Sequence, residues 1–101
     1  MTKVVVKQNN ELIQSIEIKN HAGFAESGND IVCAAISSIV FGALNALDQF
    51  GLADDDYVIE DAYIKIVLND NEVFQIVVKT MIIQLQTIQE SYPDYIQIKM
   101  N

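Results

Sequence analysis

Residues 30–51 have the sequence DIVCAAISSIVFGALNALDQFG, and this segment decides the fold because it predicts a long helix. Asn29 and Asp30 are both good N-cap residues, and Gly51 is typical of the end of a helix. Apolar residues recur at spacings of three and four, at Val32, Ile36, Ile39, Val40, Ala43, Leu44, Leu47 and Phe50. An apolar face of this kind has to be buried against another layer of structure.

Shorter segments on both sides of this helix favour β-strands. Alternating or β-branched residues predict strands at residues 4–6, 12–18, 57–59, 63–68 and 95–100. Gln8-Asn9-Asn10 separates the first two, and Asn tolerates the positive φ angles of a tight hairpin turn. The first two strands therefore form a predicted hairpin, in which Ile16 and Ile18 share one face.

A second helix is predicted between residues 72 and 92. Its apolar positions recur with helical spacing at Phe74, Val77, Val78, Met81, Leu85 and Ile88. Asn69-Asp70-Asn71 can cap it, and Pro93 closes the segment. The element order is strand, strand, helix, strand, strand, helix, strand. It predicts an α+β fold in which two helices cover one face of a small, mostly antiparallel sheet. We expect residues 1–101 to form one domain.

Composition limits the classes of partner. The net charge is −8 and the pI is about 4.2, with only six basic residues, so direct binding to nucleic acid is not expected. An acidic surface would attract a basic partner, although solubility alone also explains the charge. One Cys and one His cannot supply a zinc site, and no metal or other cofactor is expected.

The sequence also predicts a cytoplasmic protein without a membrane partner. The most apolar stretch, residues 31–47, is interrupted by Ser37, Ser38, Gly42 and Asn45. The first residues, MTKVVVKQNNE, lack the long apolar run and cleavage site of a secretory signal.

The only His and the only Cys lie close together in the chain. Cys33 falls at the start of the first helix, where free N–H groups and the helix dipole favour a thiolate over a thiol. His21 lies at the start of a loop that extends to Asp30, and this loop is long enough to bring an imidazole back to the thiol. A thiolate nucleophile with an imidazole base is the arrangement of a cysteine hydrolase.

Each of these residues also has a simpler interpretation. A lone Cys in an apolar helix is usually a core residue, and a lone His in a loop is usually solvated. Ser37 follows Cys33 by one helical turn and could donate a hydrogen bond to substrate, or bond the carbonyl of residue 33 instead. Asp30 could cap the helix, orient His21, or do both. The residues alone leave these alternatives open.

The segment HAGFAESGNDIVCAAIS, residues 21–37, closely resembles the signature of the Prp family of ribosomal-processing cysteine proteases. That signature is Gly-His-Ala, a short Gly-bearing loop, then Asp-Ile-Val-Cys-Ala-Ala and a Ser. The match extends over residues 19–42. The resemblance implies a small α+β domain that forms a homodimer. It also implies an endopeptidase that removes the N-terminal extension from the precursor of the twenty-seventh large-subunit ribosomal protein, cutting after an aromatic pair.

Carried over residue by residue, the resemblance makes His21 the base and Cys33 the nucleophile. Asp30 and Ser37 become supporting residues, and Gly23 and Gly28 would let the loop order over a bound peptide. One position departs from the family pattern, because Asn20 stands where the family usually has Gly before the His. If that Gly has a positive φ, Asn is the least costly replacement; if it lets substrate approach closely, Asn20 would crowd the site.

Two other functions remain as alternatives. A non-catalytic dimeric binding module could hold a basic ribosomal partner without cutting it, and it would need neither His21 nor Cys33. A thiol redox sensor would need Cys33 but not His21, and the chain offers it no second cysteine.

Overall fold

The computed structural model describes residues 1–20 and 30–101, with residue 30 described by its backbone alone. In chain order the elements are β1 (Thr2–Asn9), β2 (Leu12–Lys19), α1 (Asp30–Gln49), a 3-10 turn (Asp54–Asp56), β3 (Tyr57–Glu60), β4 (Tyr63–Val67), α2 (Glu72–Ser91) and β5 (Ile96–Met100). This is the predicted order of strands and helices.

The five strands form one sheet in the order β3-β4-β2-β1-β5. Every neighbouring pair is antiparallel except β1 and β5, which run parallel. The α+β class and the mostly antiparallel sheet are therefore confirmed. The first turn falls at Asn10 and Glu11, slightly later than the sequence predicted. Both residues have positive φ, 51° and 71°, as a two-residue hairpin loop with the twist of the flanking strands requires.

One face of the sheet is apolar and carries both helices. The cross-strand register places Val4 opposite Ile18, and Ile18 opposite Ile64. All of these side chains are buried in the same core as the helix stripes. The stripe of α1 consists of Val32, Ile36, Val40, Leu44 and Leu47, and that of α2 consists of Phe74, Val78, Met81, Ile82 and Leu85. Phe50 was wrongly predicted to belong to the first stripe. It follows the end of α1 and is 57% exposed.

Residues 31–49 of α1 are long and apolar enough to cross a membrane by length and composition alone. The sequence argument assumed that the polar residues in this stretch exclude a membrane span, and this assumption is wrong. A core helix of a folded domain passes the same test. In this fold a third of the segment is buried inside the protein, where α1 packs against α2.

A register slip in β2 is matched by a buried glutamine on α2. The β1–β2 pairing shifts by one residue between Lys7 and Gln8, which leaves Gln14 without a partner on β1 and turns Ile13 toward the core. The Ile13 N–H donates to Oε1 of Gln75, and Nε2 of Gln75 donates to the Ile13 carbonyl, both at 2.8 Å. Nε2 also donates to the carbonyl of Asn69 at 2.9 Å. Gln75 is only 4% exposed, so these bonds join α2 to the sheet inside the core.

Replacing Gln75 with Met should lower the free energy of unfolding by about 2–6 kcal/mol. Methionine fills a similar volume but leaves the Ile13 N–H and carbonyl buried without partners, at about 1–3 kcal/mol for each group. Urea denaturation at one fixed protein concentration measures the loss. Gln86→Met, at an exposed position of the same helix, is the control and should change stability by less than about 0.5 kcal/mol. Equal stabilities for the two variants would contradict the role given to Gln75.

Candidate active site

Cys33 lies in the first turn of α1, because that helix begins at Asp30. The backbone of Asp30 is the first residue of the helix, and the alternatives for its side chain, capping the helix or orienting His21, stay predictions. Asn29, the other predicted cap, lies outside the described residues. Cys33 is half-buried and packs against the core. Its thiol is thus held at the positive end of the helix dipole while remaining partly accessible.

Cys33 lines a cleft together with other residues of α1. Residues of α1 and of the β3–β4 hairpin form most of its lining, and β1 and the end of β2 contribute the rest. The lining residues are Thr2, Ile18, Asn20, Cys33, Ile36, Ser37, Val40, Phe41, Ile59, Glu60, Ala62, Tyr63 and Ile64. Most of this surface is apolar, so the cleft suits apolar side chains.

The open side of the cleft exposes two large apolar side chains. Phe41 on α1 is 43% exposed and Ile59 on β3 is 49% exposed. Ile59 is paired with Ile64, so its side chain is on the sheet face that the helices cover. The helices do not fully cover this edge strand. A ligand bound there would bury both side chains, which favours an apolar or aromatic group at this position.

Asn20 has a left-handed backbone, with φ of 64°. Its N–H donates to the carbonyl of Ala62 at 2.8 Å, so the end of β2 is fixed to the β3–β4 turn. Ala62 also has a positive φ, 58°. This geometry agrees with the conformational explanation for the Gly-to-Asn departure. Because Asn20 also lines the cleft, its side chain occupies space there that a glycine would leave open.

Ser37 lines the same cleft one helical turn after Cys33, and its side chain is exposed. Among the described residues, the Ser37 hydroxyl makes no hydrogen bond to the carbonyl of Cys33. Thr80 and Thr87 on α2, in contrast, each donate to the carbonyl four residues earlier. The Ser37 hydroxyl is therefore available to a ligand in the cleft. His21, Gly23 and Gly28 lie outside the described residues, so their roles stay predictions.

A tyrosine–glutamate pair lies beside the cleft and was missed by the sequence analysis. The hydroxyl of Tyr63 donates to Oε2 of Glu17 at 2.6 Å. This bond lowers the pKa of Glu17, aided by the nearby charges of Lys19, Lys65 and Lys7, and it raises the pKa of Tyr63. Strand alternation places both residues on the outward face of the sheet, but their pairing depends on the β2–β4 register, which the sequence does not reveal.

In the part of the chain that the structure describes, no three His, Cys, Asp or Glu side chains come together in a way that could hold a metal ion. The chemistry that this part offers is therefore that of Cys33, Ser37 and the polar backbone around them.

Comparison with known proteins identifies relatives of the whole chain. A family model described as cysteine protease Prp matches residues 1–97. The ribosomal processing cysteine protease Prp of Staphylococcus aureus is 32% identical over 90 residues, covering 85% of each chain. That of Bacillus subtilis is 33% identical over 98 residues, covering 88% of this chain and 87% of the other.

A solved structure shares the fold as well. It is the essential ribosomal processing protease Prp from S. aureus in complex with a covalently linked product peptide. It is 32% identical, covers 100% of both chains and superposes with a TM-score of 0.86.

Substitutions at Asn20 should rank by their tolerance of positive φ. Asn20→Gly should leave stability within about 0.5 kcal/mol of the wild type, whereas Asn20→Ala should cost about 1 kcal/mol and Asn20→Val more, because a Cβ is disfavoured in the left-handed region. Urea denaturation measures the order. Lys19→Ala, at the preceding strand residue, controls for the loss of a polar side chain. An alanine variant as stable as the glycine variant would show that φ at this position is not constrained.

Proposed function

Because the chain belongs to the Prp family of ribosomal processing cysteine proteases, we propose that it removes the N-terminal extension of a large-subunit ribosomal protein precursor in the cytoplasm. The proposed substrate is the twenty-seventh large-subunit protein, cut after an aromatic pair. The observation that carries the proposal is the position of Cys33, half-buried in the first turn of α1 and lining an apolar cleft.

In the proposed mechanism Cys33 is the nucleophile and His21 is the base. His21 directly follows Asn20 in the chain, and Asn20 lines the same cleft as Cys33. The imidazole takes the thiol proton, and the thiolate attacks the scissile carbonyl to give a tetrahedral oxyanion. The imidazolium then protonates the leaving amine, and a thioester remains on Cys33. Water, deprotonated by the same imidazole, hydrolyses the thioester and restores the thiol.

Two groups near Cys33 would assist this sequence. Backbone N–H groups in the first turn of α1 are the proposed donors to the oxyanion, since unpaired N–H groups at a helix start already point toward that end. The Ser37 hydroxyl, exposed in the cleft, is the proposed donor to the substrate backbone or to the thiolate. Asp30 is the proposed supporting carboxylate. Gly23 and Gly28 are proposed to let the intervening loop close over the peptide.

The cleft supports the proposed preference for an aromatic pair. Its volume is about 100 Å³, somewhat less than the roughly 150 Å³ cavity that holds a benzene ring. One aromatic ring would therefore fill it, aided by small side-chain movements. The second ring would lie at the open side, against Phe41 and Ile59. The net charge of −8 also supports a basic substrate, since opposite charge accelerates encounter.

We further propose that the protein acts as a homodimer through the outer surface of α2. Val73, Ile76 and Ile83 are exposed along this helix, the last at 62%. Thr80 lies between Ile76 and Ile83, and Thr87 follows Ile83 by one turn; both are exposed, and their hydroxyls donate to the carbonyls of Ile76 and Ile83, which pairs their polar groups with the backbone. The result is a continuous apolar stripe on a helix whose other side is already in the core.

The decisive experiment uses variants of the proposed dyad on a peptide that contains the aromatic pair. Cys33→Ala and Cys33→Ser should abolish cleavage while still binding the peptide, because alanine lacks a nucleophile and a serine hydroxyl is too weakly acidic. His21→Ala should reduce kcat by roughly 10²–10⁴-fold, the usual contribution of general acid–base catalysis. Mass spectrometry of the peptide and of the precursor measures cleavage at the predicted bond.

Ala34→Ser is the matched control, since residue 34 follows Cys33 on α1, is exposed and does not line the cleft. It should cut as fast as the wild type. A wild type that binds the precursor and leaves it intact would favour the binding module instead. Cleavage by Cys33→Ala at the wild-type rate would exclude Cys33 as the nucleophile, and reversible oxidation of Cys33 without cleavage would favour the redox sensor.

The assembly is tested by light scattering at micromolar concentration. The wild type should have the mass of a dimer, and the double variant Ile76→Lys/Ile83→Lys should have that of a monomer, because the charges disrupt the apolar stripe. Gln86→Lys, exposed on another side of the same helix, should remain dimeric. A monomeric wild type would refute the homodimer, and a dimeric double variant would place the interface elsewhere.

A further inference from the structure

The lysines of this acidic chain are concentrated on one surface. The chain has six lysines and no arginine. Five of them occupy outward positions on strands β1, β2, β4 and β5, on the side of the sheet that faces away from the helices. They are Lys3, Lys7, Lys19, Lys65 and Lys99. We call this surface the lysine face. The sixth, Lys79, is on α2.

Acidic residues are fewer than lysines on the same side of the sheet. Glu17 is the one acidic residue within strands β1, β2, β4 and β5, and its carboxylate accepts the hydrogen bond of Tyr63. On the edge strand β3, Glu60 is opposite Tyr63 and so is on the same side of the sheet. Five lysines and two carboxylates leave a formal charge of +3 on this side. The rest of the chain must then carry −11 to reach the total of −8. The two sides of the molecule therefore have opposite charge, which the net charge conceals.

The cross-strand register fixes how the lysines are arranged. Lys3 and Lys7 are four residues apart on β1, and Lys99 on β5 is opposite Val5 between them. Lys19 is directly opposite Lys3, and Lys65 is opposite Glu17. Strand spacing and rise put neighbouring lysine Cα atoms of the Lys3–Lys99–Lys7 group roughly 8 Å apart. All of these lysines are exposed except Lys65, which is half-buried.

We propose that the lysine face binds the phosphodiester backbone of RNA. A flat array of lysines on flexible stems matches a polyanion with repeated charges. The choice of RNA among polyanions rests on the proposed function, because a ribosomal protein precursor that has joined its assembly is surrounded by RNA. The net charge argued against a nucleic-acid partner. Salt screens charges that are more than about 10 Å away, so a phosphate at the lysine face interacts mainly with the nearby lysines.

The lysine face and the cleft lie on opposite sides of the same end of the sheet. Thr2, Ile18 and Asn20 line the cleft, and Lys3 and Lys19 follow Thr2 and Ile18 directly on the same strands with their side chains directed to the other side. RNA on the lysine face would leave the cleft open. The acidic remainder of the molecule would then be directed toward the basic precursor.

Binding of this kind would not depend on base sequence. Among the strands of the lysine face, Tyr63 is the one aromatic residue on the outward side, and its hydroxyl is bonded to Glu17. The surface therefore offers charges for phosphates and almost no stacking platform for bases. Affinity should fall steeply with salt, as expected when binding releases counterions.

The test is the fluorescence anisotropy of a labelled RNA hairpin across a series of KCl concentrations. The wild type should bind at low salt, and two hairpins of different sequence should bind equally well. The triple variant Lys3→Gln/Lys7→Gln/Lys99→Gln should bind roughly tenfold or more weakly, with a salt slope reduced by about one for each lysine. Two single variants form a matched pair, since each removes one positive charge. Lys99→Gln, on the lysine face, should bind RNA more weakly, and Lys79→Gln, on α2, should bind like the wild type.

Three results would overturn the proposal: a wild type that does not bind RNA at low salt, a triple variant that binds as well as the wild type, or equal losses for Lys79→Gln and Lys99→Gln. Vesicles rich in phosphatidylserine distinguish a lipid surface from RNA, and equally strong retention on them would also refute the assignment. Cleavage of free precursor peptide by the triple variant should match the wild type. If no protein cleaves the peptide but RNA binding still depends on the lysine face, the proposed function fails and this inference stands.

Discussion

The side-chain amide of Gln75 supplies the two hydrogen bonds that the register slip in β2 would otherwise leave unmade. The slip turns the Ile13 side chain into the core, where Ile16 and Ile18 of the same strand also lie. The N–H and carbonyl of Ile13 are beyond the last pair of β2 with β4, Ser15 and Val67, so β4 offers them no partner. A primary amide has the donor and the acceptor to complete both, and Gln75 has them at 2.8 Å. The two bonds fix the position of α2 relative to β2. Because α1 packs against α2, this position also bears on where α1 places Cys33.

The sequence was sufficient to predict the fold because two periodicities are clear in it. Apolar spacing of three and four marked both helices, and alternation marked the strands. The errors occur where a single residue determines the end of a helix or the partner of a strand. Phe50 continues the helical spacing, but Gly51, at a φ of 103°, ends the helix beside it and leaves the ring exposed. Gln75 could not be identified in advance, because its role depends on a one-residue slip in a distant strand.

The candidate site was predicted from spacing and resemblance, and the structure contributes what those could not. Ser37 and Cys33 were placed on one helix face by their separation of four residues, and both line the cleft. The lining residues Ile59 and Ala62 come from a hairpin more than twenty residues further along the chain, and only the sheet topology brings it there. The left-handed backbone of Asn20 was one of two explanations for its identity, and a dihedral angle was needed to support it.

The parallel pairing of β1 with β5 has a consequence for how the chain folds. Thr2 pairs with Ile96, so two strands separated by nearly the whole chain must meet to complete the sheet. Closing so large a loop costs chain entropy before the contact forms, and long-range pairings of this kind slow folding. The hairpins β1–β2 and β3–β4 are local and can form early, whereas the β1–β5 pair depends on both helices having packed. Folding should therefore be slow for a chain of this size and cooperative from end to end.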